Sequence, residues 1–184
     1  MDDQARSRLL ELFKSRAFSF GHFILASGKE SSYYVNSKKA LFHSEAIALL
    51  AEAFWDLSKD LNIQAAGGLE VGAIPLAAAL AQKYHLEGRE LEGFFVRKLV
   101  KDHGSKDRVE GNVSSGDNVV ILDDVLTTGG SAKQAVDEVE KLGAKVLAVL
   151  CIVDRLQGAR ELLTPQYELR SIFTIEDFGI EAPK

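Results

Sequence analysis

A chain of 184 residues, 46% of them apolar, is long enough to bury one core and gives no sign of a second domain. Its net charge of −5 excludes a generally basic, nucleic-acid-coating surface while leaving room for a local basic patch. The single Cys151 excludes a disulfide or zinc framework; with the acidic start Met1-Asp2-Asp3 and no apolar run of membrane-spanning length, it leads to the expectation of a cytoplasmic protein in a reducing compartment.

In chain order, Asp2 or Asp3 is placed to cap a first helix whose apolar positions Leu9, Leu10, Leu12 and Phe13 share one side. Phe18 to Leu25 reads as a strand stopped at the turn pair Ser27-Gly28, and Tyr33-Tyr34-Val35 as a second, so that a small β-rich flap precedes the main sheet. Tyr34 has the shape to stack on a base, although an aromatic in a strand is more often core. Lys29 reads as solvated, while Lys38 and Lys39 stay open between solvent and ligand. Ser44 is expected to cap a helix from Glu45 to about Leu57, with Ile47, Leu50, Ala51 and Phe54 as its buried stripe and Trp55 as core. Ile63 to Gly67 is a short strand, and Gly68-Leu69-Glu70-Val71-Gly72 turns into an Ala-rich helix with Pro75 in its first turn.

Leu91 to Val96 is the next strand and runs into Arg97-Lys98-Leu99-Val100-Lys101-Asp102-His103-Gly104-Ser105-Lys106-Asp107-Arg108, twelve residues holding five Lys/Arg and a His. No apolar period organises this segment, which reads as a mobile loop extending to about Ser115.

The most informative stretch follows. Val119-Val120-Ile121-Leu122 is an uninterrupted apolar run, as in a strand covered on both faces, and it is expected to stop at Asp123-Asp124, since buried carboxylates are costly unless partnered. Thr127-Thr128-Gly129-Gly130-Ser131 then offers three hydroxyls and two residues without Cβ just before a helix that runs to Leu142, with Ser131 at its start, Ala135, Val136, Val139 and Leu142 inward and Gly143 closing it. Such a turn presents N–H groups and a helix dipole to an anion. Acids beside a phosphate cradle suit a sugar phosphate; the bland alternative is a plain strand-to-helix loop with Ser131 as cap. Lys145 to Val153 is a buried strand ending at Asp154-Arg155, followed by a short helix over Gly158 to Leu163 and a last, possibly edge, strand from Tyr167 to Thr174. His22, His43 and His85 read as structural or surface.

The run from Val119 to Ser131 resembles the phosphoribosyl-pyrophosphate (PRPP) motif of the type I phosphoribosyltransferases. Phe23-Ile24-Leu25-Ala26-Ser27-Gly28-Lys29-Glu30-Ser31-Ser32-Tyr33-Tyr34 resembles the hood of the orotate phosphoribosyltransferases, and Arg97-Lys98-x-x-Lys101-x-His103-Gly104 their catalytic loop. The resemblance implies a type I phosphoribosyltransferase fold of the α/β class, a mainly parallel central sheet flanked by helices with a small N-terminal hood. It implies one domain over 1–184, with the hood over about 1–40 and the mobile loop over about 98–115.

It further implies transfer of ribose 5-phosphate from PRPP to orotate, with inversion at the anomeric carbon, yielding orotidine 5′-monophosphate and pyrophosphate. Arg97, Lys98, Lys101 and His103 would meet the pyrophosphate, Asp123 and Asp124 the ribose hydroxyls, and Val125, Leu126, Thr127, Thr128, Gly129, Gly130 and Ser131 the 5′-phosphate side. Orotate would be held by Thr127 and Arg155, and the catalytic residues would be Lys101, His103 and Asp124. Mg²⁺ would be held mainly through PRPP and water, with no direct protein ligand. Relatives form homodimers that share loop residues, so a homodimer is expected, with no nucleic-acid or membrane partner. Many relatives carry Tyr-Lys where this chain has Val71-Gly72, so contact from that turn would fall to backbone N–H groups or to metal-bound water near Glu70. The competing readings are a purine-base phosphoribosyltransferase and a non-catalytic PRPP-sensing regulator.

Overall fold

The computed structural model describes residues 1–24, 30–99 and 108–182. Helix α1, Asp3–Arg16, starts where the Asp2 carboxylate accepts from the Ala5 N–H at 2.7 Å, and it ends with Lys14 and Arg16 against the carbonyl end of its dipole. Leu9, Leu12 and Phe13 are its buried positions, three and four residues apart.

Strands β1 (Phe18–Ile24) and β2 (Glu30–Val35) pair antiparallel as a separate two-stranded hood; the turn expected at Ser27-Gly28 lies outside the described residues. The hood is fastened by the Phe18 ring stacked on Phe178 at 4.2 Å between centroids. Neighbouring side chains on a strand face opposite ways, so Tyr33 is buried while Tyr34 is 47% exposed, contrary to its expected place in the core. A four-residue helix, α2 (Lys38–Leu41), follows; it is too short to leave a periodic trace in the sequence. In α3 (Ser44–Ser58) the cap is not Ser44 but His43, whose Nδ1 accepts from the Ala46 N–H. Trp55 is only partly buried, edge-on to Tyr84 with the Arg89 guanidinium over its ring.

The main sheet has the order β5-β4-β3-β6-β7-β8, from β3 (Ala65–Leu69), β4 (Glu92–Val96), β5 (Val109–Gly111), β6 (Asn118–Leu126), β7 (Lys145–Asp154) and β8 (Glu168–Thr174). All neighbours are parallel except β4 with β5, and β8 is an edge strand. Side-chain alternation divides the interior. Val120, Leu122 and Leu150 join α1, α3 and α4 (Ala73–Leu86), while Val119, Ile121 and Cys151 join α5 (Gly130–Lys141) and α6 (Ala159–Leu163). Both faces of the sheet are therefore covered, which is why β6 and β7 read as unbroken apolar runs. Leu142, expected inward, is 37% exposed because α5 has already ended at Lys141. No helix among the described residues is long and apolar enough to cross a membrane.

Two features set the position of the site. The chain leaves β3 toward β4 on one side and leaves β6 toward β7 on the other, so the adjacent pair β3 and β6 forms a switch point, with a crevice at its carboxyl ends. Strand β3 is also bare where it matters: a Cβ on Gly67 would lie 2.1 Å from the Phe94 carbonyl oxygen, and one on Gly68 2.1 Å from that of Leu122.

Two further departures from the sequence-based expectation concern the strands around the site. Strand β6 does not stop at the aspartates but carries them and continues to Leu126. Its extension is tolerated because Asp124 finds partners and burial pushes Asp123 toward its neutral form, as described below. Within the segment expected to be loop to Ser115, Val109–Gly111 is a strand, whose pairing with β4 satisfies edge N–H and C=O groups.

Candidate active site

Four strand ends meet at the crevice. From β3 comes the turn Glu70-Val71-Gly72, from β4 Arg97 and Lys98, from β6 Asp123 through Ser131, and from β7 Asp154 and Arg155. The Glu70 carboxylate accepts from the Lys98 N–H at 2.9 Å, which ties the β3 turn to the root of the basic segment. That root is closed from the other side: the Arg97 N–H donates to the Arg108 carbonyl at 2.8 Å, and the Arg108 guanidinium returns bonds to the carbonyls of Arg97 and Lys98. Arg108 is itself held by Glu138 of α5 at 3.3 Å. Arg97 Nη1 lies 3.4 Å from Glu110, whereas its buried Nε has no hydrogen-bond partner among the described residues. A buried donor of this kind is unusual and leaves capacity for an acceptor. Lys101 and His103, with Lys29 of the hood, lie outside the described residues.

On β6, the side chains of Asp123 and Asp124 are within hydrogen-bonding reach of each other, and their carboxyls are shifted in opposite directions. Burial, then the neighbouring Asp124 charge, pushes the Asp123 carboxyl well above the ordinary range. Burial would raise Asp124 too, but the Ser37 hydroxyl donating to Oδ2 and the nearby Lys38 ammonium hold it below the ordinary value. Lys38 Nζ is 3.4 Å from Oδ2. On its other side Asp124 is pressed against bare backbone, since a Cβ on Gly72 would be 2.6 Å from Asp124 Cγ. The two neighbouring carboxyls are thus pushed apart, Asp124 toward the ionised form and Asp123 toward the protonated one.

After β6 the chain needs a left-handed residue to turn into α5. Gly129 supplies it, with φ at +82° as the N-cap, so the sequence-based choice of Ser131 as the helix start is corrected. No side chain caps α5, and Thr128, Gly130 and Ser131 are exposed at its mouth. Unclaimed N–H groups, adjacent hydroxyls and the positive helix end suit a phosphate. Val125 and Leu126 pack into the two opposite cores, so what they can offer a ligand is backbone.

Arg155 does not pair with Asp154. The fully buried Asp154 accepts from Arg160 Nε at 2.8 Å and from the Leu156 N–H at 2.9 Å, which leaves Arg155 to the hood. Its Nε and Nη2 donate to the Tyr33 hydroxyl at 3.1 and 2.8 Å, with the guanidinium 4.9 Å from the ring centroid. A planar fork held against an aromatic ring at a strand edge suits a ligand carboxylate.

The sequence-based site therefore assembles around one crevice for Arg97, Lys98, Asp123 to Ser131 and Arg155. Sequence reasoning missed Ser37, the Tyr33 contact to Arg155 and the reason for glycine at position 72. Only the proximity of Ser37 and Lys38 to the hood hinted at any of these.

The phosphoribosyl transferase domain model matches residues 38–183. An orotate phosphoribosyltransferase of Bradyrhizobium diazoefficiens is 42% identical over 179 residues, covering 95% of this chain and 96% of the relative. Among solved structures, orotate phosphoribosyltransferase from Mycobacterium tuberculosis in complex with Fe(III) dicitrate superposes with a TM-score of 0.85 at 36% identity, over 96% of this chain and 99% of that one. The same protein in complex with 5-phospho-alpha-D-ribosyl 1-diphosphate gives 0.81 at 33% identity, over 96% and 99% of the two chains. Motif order, fold and identity across nearly the whole length agree: the chain belongs to the phosphoribosyltransferases, and within them to the orotate phosphoribosyltransferase family.

Proposed function

We propose that this protein transfers the ribose 5-phosphate group of PRPP to orotate, releasing pyrophosphate and forming orotidine 5′-monophosphate, in the synthesis of pyrimidine nucleotides. The observation that carries the reading is the pairing of two recognition devices across one crevice. An uncapped Thr/Gly/Ser helix entrance follows Asp124, whose carboxyl is held below its ordinary range, and a guanidinium fork at Arg155 lies beneath the hood.

In this mechanism Thr127 to Ser131 anchor the 5′-phosphate, with backbone help from Val125 and Leu126. Asp124 accepts from the ribose hydroxyls, and Asp123, inclined to be protonated, can donate. Fixing the ribose this way leaves the anomeric carbon free to develop oxocarbenium character as the C–O bond to pyrophosphate breaks and the orotate nitrogen bonds from the opposite face, its N–H proton passing to solvent. Arg97, Lys98, Lys101 and His103 balance the charge that gathers on pyrophosphate, and the unpartnered Arg97 Nε supports that assignment. At the β3 turn Gly72 carries no side chain because Asp124 occupies its place, so that turn meets the ligand through backbone. Thr127 and Arg155 hold orotate, Arg155 through its carboxylate.

The cofactor is Mg²⁺ carried by PRPP. Two hard oxygen donors at a strand edge, one of them inclined to stay protonated, suit an ion that keeps its waters, and the ion supplies neutralisation of the diphosphate. We assign the chain to one domain with its hood over about 1–40, to the cytoplasm, and to a homodimer whose basic segments reach the neighbouring site, as the family resemblance implies.

The test is direct: PRPP, Mg²⁺ and orotate are mixed with the protein and the ultraviolet absorbance of orotate is followed, with adenine, guanine and uracil as controls. Orotate consumption alone is expected; consumption of a purine instead would replace the reading, and consumption of none would favour a regulator. Arg155→Ala is expected to raise the KM for orotate by about 30-fold or more, the cost of one charge-paired recognition contact, with PRPP affinity little changed. Equal loss of both would show that Arg155 serves the fold instead of the base site.

A further inference from the structure

Ser37 is 2% exposed, and a hydroxyl so deeply buried is retained only with a partner. Its partner is Asp124 Oδ2, 87 positions away in sequence. Ser37 lies outside the hood, loop and PRPP motifs, and its hydroxyl donates to Asp124, the residue assigned to the ribose. We propose that Ser37 is a positioning residue for the ribose end of the site, setting the orientation of the Asp124 carboxylate from the base of the hood.

An aspartate at a strand edge is free to turn about two side-chain torsions, and a carboxylate that must meet ribose hydroxyls gains from having that freedom removed beforehand. Three contacts remove it. The Ser37 hydroxyl donates to Oδ2, the half-exposed Lys38 ammonium approaches the same oxygen at 3.4 Å, and the backbone of Gly72 closes the opposite side, where a Cβ would stand 2.6 Å from Cγ. Oδ2 is thereby committed to the hood, and the plane of the carboxylate is fixed before any ligand arrives. The hydrogen bond to Ser37 is charge-assisted, which makes it stronger than one between neutral groups.

This assignment rests on the PRPP reading, so its test keeps the two apart. Calorimetric titration of Mg²⁺·PRPP into wild type and Ser37→Ala is combined with steady-state turnover of orotate. For Ser37→Ala, PRPP binding is expected to weaken about tenfold, the size of one charge-assisted hydrogen bond, with the KM for orotate within about twofold of wild type. Ser37→Thr, which keeps the hydroxyl, should restore most of the PRPP affinity. A serine that merely fastened the hood would disturb the Tyr33–Arg155 contact as well, so equal weakening of PRPP and orotate, or unchanged PRPP binding, overturns the proposal. If circular dichroism shows that Ser37→Ala does not fold, Lys38→Met, altered at a half-exposed position, takes its place. About a threefold weaker PRPP binding with orotate unaffected is then expected, and no change overturns the proposal. Wild type that binds PRPP but leaves orotate unconsumed refutes the orotate reading alone, because the PRPP titrations still judge Ser37. Wild type that binds no PRPP refutes both.

Discussion

Lys101→Ala is expected to lower turnover by about 10² to 10³ while leaving PRPP affinity within about threefold of wild type, the pattern of a contact that strengthens only as charge develops. Negative charge accumulates on pyrophosphate as its bond to the ribose breaks, and a cation that meets it then stabilises the transition state more than the ground state. The segment that carries Lys101 starts and ends at one place. Arg97 and Arg108 are hydrogen-bonded to each other, Lys98 is tied to Glu70, and Arg108 is tied to Glu138. Both ends of the segment thus stand at the carboxyl edge of β3 and β4. Steady-state rates with saturating orotate, set against calorimetric PRPP affinity, separate the two effects. Turnover near that of wild type would remove Lys101 from the mechanism, and a parallel loss of affinity would make it a simple binding contact.

Gly68→Ala is expected to have the largest effect on folding, a loss of at least about 3 kcal/mol, read as a shift in the midpoint of urea unfolding followed by circular dichroism. The added Cβ would meet the carbonyl oxygen of Leu122 at 2.1 Å, and that atom is backbone of the central strand β6, unable to swing aside as a side chain would. Relief requires β3 and β6 to part at their shared end, which breaks pairing beside the register Gly67 to Ile121 and moves Asp123 and Asp124 with it. Against a total stability of about 5–15 kcal/mol for an ordinary domain, such a loss endangers the fold itself. A midpoint within about 0.2 M of wild type would show that the two strands can separate without cost.

How far the sequence could be read depended on whether the deciding interaction was local. Strands β6 and β7 were legible as apolar runs because both faces of the sheet are covered, and α1, α3 and α5 because a helical face repeats within a few residues. The stretch Asp123 to Ser131 was legible because its chemistry is contiguous. Where the strand ended was not. A rule that keeps carboxylates out of buried strands stops β6 at Leu122, and it fails because Ser37 and Lys38 satisfy Asp124 while burial and the Asp124 charge push Asp123 toward its neutral form. The link from Tyr33 to Arg155 spans 122 positions, so no window along the chain contains it. Helix α2 and strand β5 were invisible for a different reason: with four and three residues they are shorter than any period that could betray them. His43 took the capping place because a side-chain nitrogen acceptor suffices there, against the usual preference for hydroxyl and carboxylate residues.

The joined ends at Arg97 and Arg108 carry one more consequence, for the tolerance of this chain to change. Once two residues are held together, the entropy lost in closing the stretch between them grows only as the logarithm of its length, so doubling that stretch costs only about 0.6 kcal/mol. The hairpin of β4 and β5 already bears the fixed part of that cost through its ladder and the bonds of Arg108. Folding therefore places little restraint on the number of residues between positions 97 and 108. Insertions and deletions there should be filtered by whether a cation still reaches the leaving group, making loop length a variable that evolution can adjust for rate with the scaffold left unaltered.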